Sequence, residues 1–372
     1  MRIGFDGKRA TQNFTGLGNY SRHILSILST FYPQDEHFIY TPKSLKNLEY
    51  SFEGEIKNPK KKFFKSLWRS FGIISDLKRD KIDIYHGLSN ELPFGIKKAN
   101  ILSVVTIHDL IFLRFPDYYP WIDRKIYNFK FRYACENADR IIAVSEQTKR
   151  DIVDFYHIPA DRIEVIYQNC NPIFKNPVSI DRKKEIRLKY NLPNQYLLNV
   201  GSIESRKNLI LIVKALKFIP KELKLVVVGK ETRYTEIVKL YINKNGLQNR
   251  VHFLKDVSFD DLPGIFQQSE IFIYPSKFEG FGIPILEALC SGVPVIAATG
   301  SALEEAGGRG SLYVGPNDDS KLSELINLIL ENKGLRDKMI TDGYEHAKQF
   351  SDEQIAPKLM GLYQKTLKDV KR

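Results

Sequence analysis

The sequence predicts an α/β protein made of two doubly wound parallel-sheet halves. Three observations carry that prediction. The chain has 372 residues, enough for two domains of ordinary size. Short apolar runs alternate with longer stretches of helical periodicity, the pattern of a parallel sheet with helices on its faces. The alternation pauses once, between residues 168 and 193, and then restarts.

The elements follow in order. A first strand is read at 2–6, a glycine-containing loop at 15–19, and an amphipathic run at 20–31 with Ile24, Leu25 and Leu28 at helical spacing. Further strands are read at 37–40, 82–85, 102–107, 140–144 and 163–167. The stretch 168–193 holds Pro172, Pro177 and a charged run at 181–184, and reads as a linker with a short connecting helix. Strands resume at 196–200, 223–228, 251–254, 271–274, 293–297 and 312–314, and a last helix covers 352–368. The expected domains are 1–175 and 193–351, joined by a linker at 176–192, with residues 352–372 packing back on the first. Ligands of open α/β sheets bind beyond the carboxyl ends of the strands. Two such edges facing each other predict a cleft, with the chemistry between the domains.

Composition excludes several classes. Apolar residues at 43% and charged residues at 27% exclude a disordered chain. No apolar run approaches the ~18 residues of a transmembrane helix, and charge arrives too early at the N-terminus for a signal peptide. Cys135, Cys170 and Cys290 lie far apart, which argues for a reducing compartment, hence the cytoplasm, and against structural zinc. No HExxH or similar spacing occurs, so no metal site is read. The net charge is +12, and residues 57–81 supply +7 of it, with nine basic residues against two acidic ones. That surface favours anionic partners.

Four segments carry chemistry. Gly16 and Gly18 precede a helix and let backbone amides approach an anion, although a simple tight turn explains the same spacing. Arg206 and Lys207 follow the strand 196–200 and the turn Gly201-Ser202, and two adjacent cations there suit a diphosphate. A solvated helix start is the competing reading. The third and most specific segment is 275–288, where Gly280 and Gly282 bare the backbone and Pro284 suits a first helical turn. Glu279 sits in its loop and Glu287 about one turn into its helix, placed to accept hydrogen bonds from sugar hydroxyls. Acids in a first turn also compensate the helix dipole, which leaves the bared glycines unexplained. Fourth, His108 in Thr106-Ile-His-Asp109 is a candidate donor to a ligand hydroxyl, and His86 a second residue for the same cleft.

Together these segments resemble the family-4 retaining glycosyltransferases of the two-Rossmann GT-B fold, over essentially the whole chain. The phrase 278–289, Phe-Glu-Gly-Phe-Gly-Ile-Pro-Ile-Leu-Glu-Ala-Leu, followed by Gly292-Val-Pro-Val295, is specific to that family, as is the E-x7-E spacing of Glu279 and Glu287. The resemblance implies residue roles. Gly16 and Gly18 would approach the donor's distal phosphate, and Arg206 and Lys207 would neutralise the leaving diphosphate. Glu279, Gly280 and the amides of Phe281, Gly282 and Ile283 would hold the transferred sugar. Glu287 would bind the ribose, and His108 would touch sugar hydroxyls. Many members carry Arg where Ser202 stands here, so the second cation must come from Arg206. The wording at 85–93 and 199–208 looks most like bacterial mannosyltransferases of polysaccharide assembly, which implies GDP-mannose as donor, a glycan or lipid-linked glycan as acceptor, and no cofactor or metal.

Other readings are a nucleotide-sugar epimerase, a basic nucleic-acid-binding protein and an NAD-dependent oxidoreductase. The first lacks support beside E-x7-E. The second lacks a nucleic-acid motif and has its charge in one segment rather than along a groove, so no nucleic-acid partner is expected. The third has an incomplete glycine fingerprint. The basic segment mixes Lys60, Lys61, Lys62 and Lys65 with Phe63, Phe64, Leu67 and Trp68. It reads either as a helix packing its aromatics into the core or as a peripheral contact with acceptor or anionic membrane at the inner face.

Overall fold

A computed structural model describes residues 1–13, 16–42, 54–59 and 67–370. The chain divides into two compact units, Met1–Gln168 with Asp352–Arg372, and Asn169–Ser351.

The first unit holds seven strands: Arg2–Asp6 (β1), Glu36–Tyr40 (β2), Glu55–Lys57 (β3), Ile84–Gly87 (β4), Leu102–Ile107 (β5), Arg140–Ala143 (β6) and Ile163–Val165 (β7). All pair in parallel, in the order β3-β2-β1-β4-β5-β6-β7, with Ile3 opposite both His37 and Ile84. Strand order therefore reverses between β1 and β4. The central strands are covered on both faces, which is why they read as apolar runs rather than alternations. The sequence pattern does not predict β3. Glu55 and Ile56 are exposed, and a three-residue edge strand has no buried face to mark it.

The helix Gly16–Phe31 begins four residues before its apolar stripe. Gly16 and Gly18 thus lie in its first turn and not in a preceding loop. A Cβ on Gly18 would stand 1.7 Å from the Asn13 carbonyl oxygen, so glycine is required there by the chain's own backbone. The buried stripe of this helix, with Ile24 and Leu28, shares a core with Ile355, Leu359, Met360 and Tyr363 of the C-terminal helix Asp352–Val370. Each such large apolar side chain contributes about 1.5–3 kcal/mol on burial. The Tyr363 hydroxyl lies 2.6 Å from His86 Nδ1, and His86 Nε2 lies 2.8 Å from Thr106 Oγ1. Burial, then the nearby His108, pushes the His86 pKa down to about 3. His86 is a neutral core residue and not a ligand of the site.

Trp68 is also a core residue, which corrects its reading as a membrane or acceptor contact. It opens a π-helical turn, Trp68–Gly72, and packs with Tyr40, Ile73 and Leu77. Its indole Nε1–H donates to Asp76 at 2.7 Å, so the ring is covered with its one polar group satisfied. Leu67 beside it is exposed. Lys60, Lys61, Lys62 and Lys65 lie outside the described residues.

The second unit holds six strands: Tyr196–Val200 (β8), Lys224–Val228 (β9), Val251–Leu254 (β10), Ile271–Tyr274 (β11), Val295–Ala298 (β12) and Leu312–Val314 (β13). They pair in parallel in the order β10-β9-β8-β11-β12-β13, with the reversal between β8 and β11. The two units part between Gln168 and Asn169, and the segment 176–192 carries the helix Ile180–Lys189. Ile186 of the helix Ile180–Lys189 packs so closely on Gly264 that a Cβ there would come 2.4 Å from its Cδ1. Lys189 and Arg182 of the same helix both pair with the buried Asp261 carboxylate.

Candidate active site

The reversal point of the second sheet gathers the loops after β8 and β11, where a doubly wound sheet binds ligands. After β8 the chain turns through Gly201 at φ +146°, passes Ser202 and forms the single turn Ser205–Lys207. Asn208, left-handed at φ +60°, anchors that turn by donating its side-chain amide to the carbonyls of Pro275 and Pro316. The Lys277 amide donates to the Arg206 carbonyl at 2.8 Å, which pins the two loops together.

The side chains then converge on one carboxylate oxygen. Glu279 Oε1 lies 2.6 Å from Lys207 Nζ and 2.7 Å from Arg206 Nη1, and it also accepts from the Ser276 hydroxyl. Lys207 additionally donates to the Tyr274 hydroxyl, and Arg206 to the Phe278 carbonyl at 2.6 Å. Burial works to raise the Glu279 pKa, but the charges of Lys207 and Arg206 outweigh it and hold the carboxyl at about 2. Burial works to lower the Lys207 pKa, and the Glu279 charge outweighs that too, so it is raised. All three groups are ionised at neutral pH. Arg206 also lies 3.9 Å from the exposed Glu204 carboxylate, so two cations face two carboxylates at a sheet edge, and an anionic ligand would compete with those carboxylates for the cations.

Glu287 is set apart from that cluster. It lies in the helix Ile283–Cys290, half-buried, and burial with the Cys290 thiol beside it pushes its pKa up to about 8. Gly282, at φ +146°, starts this helix, and a Cβ there would come 3.1 Å from both Ala306 and Leu303. Glycine is needed at 282 for backbone conformation and packing as well as for bare amides. The Phe281 ring is buried edge-on against Phe350, so only its backbone is available to a ligand.

In the first unit, His108 follows β5 and is buried. Its Nε2 lies 3.0 Å from the Leu88 carbonyl, which only accepts, so Nε2 carries the hydrogen. Burial keeps the ring neutral, with a pKa of about 4. The expectation of a donor to a ligand hydroxyl is corrected accordingly, because the donor is spent on Leu88 and Nδ1 is the acceptor.

Both units match known protein families. The family model "Glycosyltransferase Family 4" matches residues 21–169, and "Glycosyl transferases group 1" matches residues 181–346. O-antigen chain mannosyltransferase B of Escherichia coli is 31% identical over 75% of this chain and 74% of its own length. The chain belongs to the family-4 glycosyltransferases.

O-antigen chain mannosyltransferase RfbU of Salmonella typhimurium is 29% identical to this glycosyltransferase over 61% of the chain and 60% of the relative. Anabaena HepE, solved with UDP and glucose, superposes with a TM-score of 0.77 at 18% identity, over 98% of this chain and 99% of that one. A glycosyltransferase from Rickettsia africae gives 0.78 at 21% identity over 98% of both chains. The shared architecture is the GT-B fold with its two parallel-sheet units. Within the second unit of this glycosyltransferase, the fold joins Arg206, Lys207 and Glu279 directly, whereas Gly201 and Ser202 lie in the loop after β8, Gly280 in the loop after β11, and Ile283 and Glu287 in the helix that follows it. Sequence reasoning missed Tyr274 and Ser276, which stand at and just past the end of β11 and both bind into the cluster. Their position beyond a strand's carboxyl end was the available signal.

Proposed function

We propose that the chain is a metal-independent, retaining mannosyltransferase that uses GDP-mannose and extends a glycan or lipid-linked glycan of a bacterial surface polysaccharide. The observation that carries this reading is the meeting of Lys207 and Arg206 on Glu279 at the reversal point of the second sheet. The similarity to the two O-antigen mannosyltransferases supports mannose.

In the proposed reaction the bond between the sugar's anomeric carbon and the diphosphate breaks. The acceptor oxygen bonds to that carbon on the same face, and its proton passes to a leaving phosphate oxygen. Lys207 and Arg206 stabilise the charge growing on the diphosphate, preorganised by Glu279, which supplies the electrostatic part of catalysis. Glu279 binds sugar hydroxyls through Oε2. A carboxylate held at about 2 with Oε1 taken by two cations is a poor nucleophile, which favours a sugar-holding role over a covalent one. Glu287 accepts from the ribose hydroxyls. His108 offers Nδ1 to a sugar hydroxyl, and Gly16 and Gly18 bring amides near the distal phosphate.

Among the described residues no helix is long and apolar enough to cross a membrane. The lysines at 60–65 would serve a peripheral, salt-sensitive contact with the inner face of the cytoplasmic membrane. Vesicle flotation of wild type against a variant with these four lysines changed to Gln tests that contact, and equal flotation removes it. The activity is tested by a panel of nucleotide sugars with mass analysis of products, anomeric configuration by NMR, and parallel reactions in EDTA. Transfer from GDP-mannose with retention in EDTA is expected. Inversion, another preferred donor, or a loss in EDTA restored by magnesium overturns the corresponding element.

A further inference from the structure

The three cysteines lie far apart in the chain, and the fold brings two of them together. Cys170 Sγ and Cys290 Sγ stand 3.3 Å apart, although 120 residues separate them. Both are free thiols of the second unit. Cys170 follows directly on Asn169, where the chain enters that unit. Cys290 is the last residue of the helix Ile283–Cys290, about one turn after Glu287. The proposed sugar transfer uses neither sulfur.

The pair is polarised. The Cys170 thiol donates to Cys290 Sγ, and that hydrogen bond, with the Lys175 charge behind it, lowers the Cys290 pKa against the effect of burial. The same contact, together with burial, pushes the Cys170 pKa up. Exposure divides the two in the same sense, because Cys290 is 7% and Cys170 1% exposed. Cys290 is thus the sulfur with thiolate character and the one a small solute meets first. Cys135 lies in the first unit, fully buried, and burial raises its pKa.

We propose that Cys170 and Cys290 form a redox-sensitive modification site, a dithiol that hydrogen peroxide closes to an intramolecular disulfide. Cys290 Sγ attacks one peroxide oxygen, the O–O bond breaks, and the departing hydroxide takes up the Cys290 proton as water. That leaves a sulfenic acid on Cys290. Cys170 Sγ then bonds to Cys290 Sγ, the S–O bond breaks, and the oxygen leaves as water with the Cys170 proton. Two thiols and one peroxide become one disulfide and two waters. The sulfurs need only close from 3.3 Å to about 2.05 Å. The bond ties the first residues of the second unit to the end of the helix that carries Glu287. A cross-link across so long a loop stabilises chiefly by constraining the unfolded chain. In a reducing compartment such a bond is transient and serves redox sensing.

The test treats the full chain, dilute and without nucleotide, with equimolar hydrogen peroxide. Iodoacetamide in denaturant then labels the remaining thiols, and intact mass counts them. The reduced chain should take three labels and the oxidised chain one, on Cys135, with dithiothreitol restoring all three. Peptide mapping should find residues 170 and 290 joined within one chain. Oxidised wild type should unfold at a urea concentration about 1 M above reduced wild type. Cys290→Ala should keep both its thiols under peroxide and show no shift. Cys170→Ala should stop at the Cys290 sulfenic acid, which dimedone traps. The comparison of oxidised with reduced wild type stands even where a variant fails to fold. Three labels after peroxide, a cross-link between chains, or further oxidation of either sulfur without a cross-link overturns the site. An unchanged urea midpoint in the cross-linked chain overturns the stabilisation assigned to it. Donor assays with the nucleotide-sugar panel fail or succeed independently of the thiol count.

Discussion

Lys207 and Glu279 stand 72 residues apart in the chain and meet at 2.6 Å, Nζ to Oε1, with Arg206 on the same oxygen. The pair joins the loop after β8 to the loop after β11. Tyr274 also binds Lys207 and Ser276 also binds Glu279, so each charge is held from more than one side.

Replacing Lys207 with Ala tests that site most directly. Arg206 still compensates Glu279, so the far-ultraviolet circular dichroism should stay native. Transfer at saturating donor should fall on the order of a hundredfold, as for loss of one preorganised charged contact. Turnover within a few-fold of wild type would remove Lys207 from the reaction.

The two glutamates should separate in calorimetry with free GDP. Glu287→Gln should weaken GDP binding by about tenfold, the scale of one hydrogen bond to a charged group. Glu279→Gln should leave GDP binding as tight or tighter, because it releases Arg206 and Lys207 from their internal anion. Its cost should appear in transfer. The reverse order in the titrations would exchange the two assignments.

A pH dependence follows from Glu287, whose pKa is raised from 4.5 to about 8 by burial and the neighbouring Cys290. Ribose hydroxyls donating to the carboxylate favour its ionised form, so nucleotide binding lowers that pKa and releases a proton near neutral pH. Affinity should rise with pH up to about 8 and then level off. In the free protein the folded state holds a proton that the unfolded chain loses, so this group's contribution to stability falls as pH rises from 4.5 to about 8. Titrations in buffers of different ionisation enthalpy count the proton. Zero release at pH 7 in wild type, or the same release in Glu287→Gln, would contradict this linkage.

The C-terminal helix carries a stability prediction. Tyr363→Phe keeps the ring and removes the hydroxyl that faces His86 Nδ1 at 2.6 Å. A buried nitrogen without its partner costs about 1–3 kcal/mol. Tyr363→Ala adds a cavity and should cost about 3–5 kcal/mol. Urea unfolding measures both, and equal stability of the two variants would show that the core closes around the loss.

Much of the fold was legible along the chain. The runs at 102–107 and 271–274 appear as strands at the same residues, because a parallel strand covered on both faces must be apolar throughout. β3 was not legible, since Glu55 and Ile56 face solvent. The start of the helix Gly16–Phe31 was missed because Gly16 and Gly18 read as loop residues, and only contact with Asn13 shows why glycine belongs in that first turn. Arg206, Lys207 and Glu279 could each be picked from position after a strand, but their shared oxygen could not.

The sequence by itself therefore determined the strands other than β3, the two-unit organisation, and that Arg206, Lys207, His108 and Glu279 follow β8, β5 and β11. Those are local properties, written in burial pattern and turn chemistry within a few residues. The tertiary structure alone decided that Trp68 turns inward, that His86 is a core residue bonded to Tyr363, and that Arg69 spans Asp6 and Glu91. The last two depend on groups from distant segments, which become neighbours only when the strand order reverses and the last helix packs on the first unit, and Trp68 turns inward because Tyr40 of β2 joins its core. A side chain's partner is set by that crossing of the chain, and no spacing along the sequence encodes it.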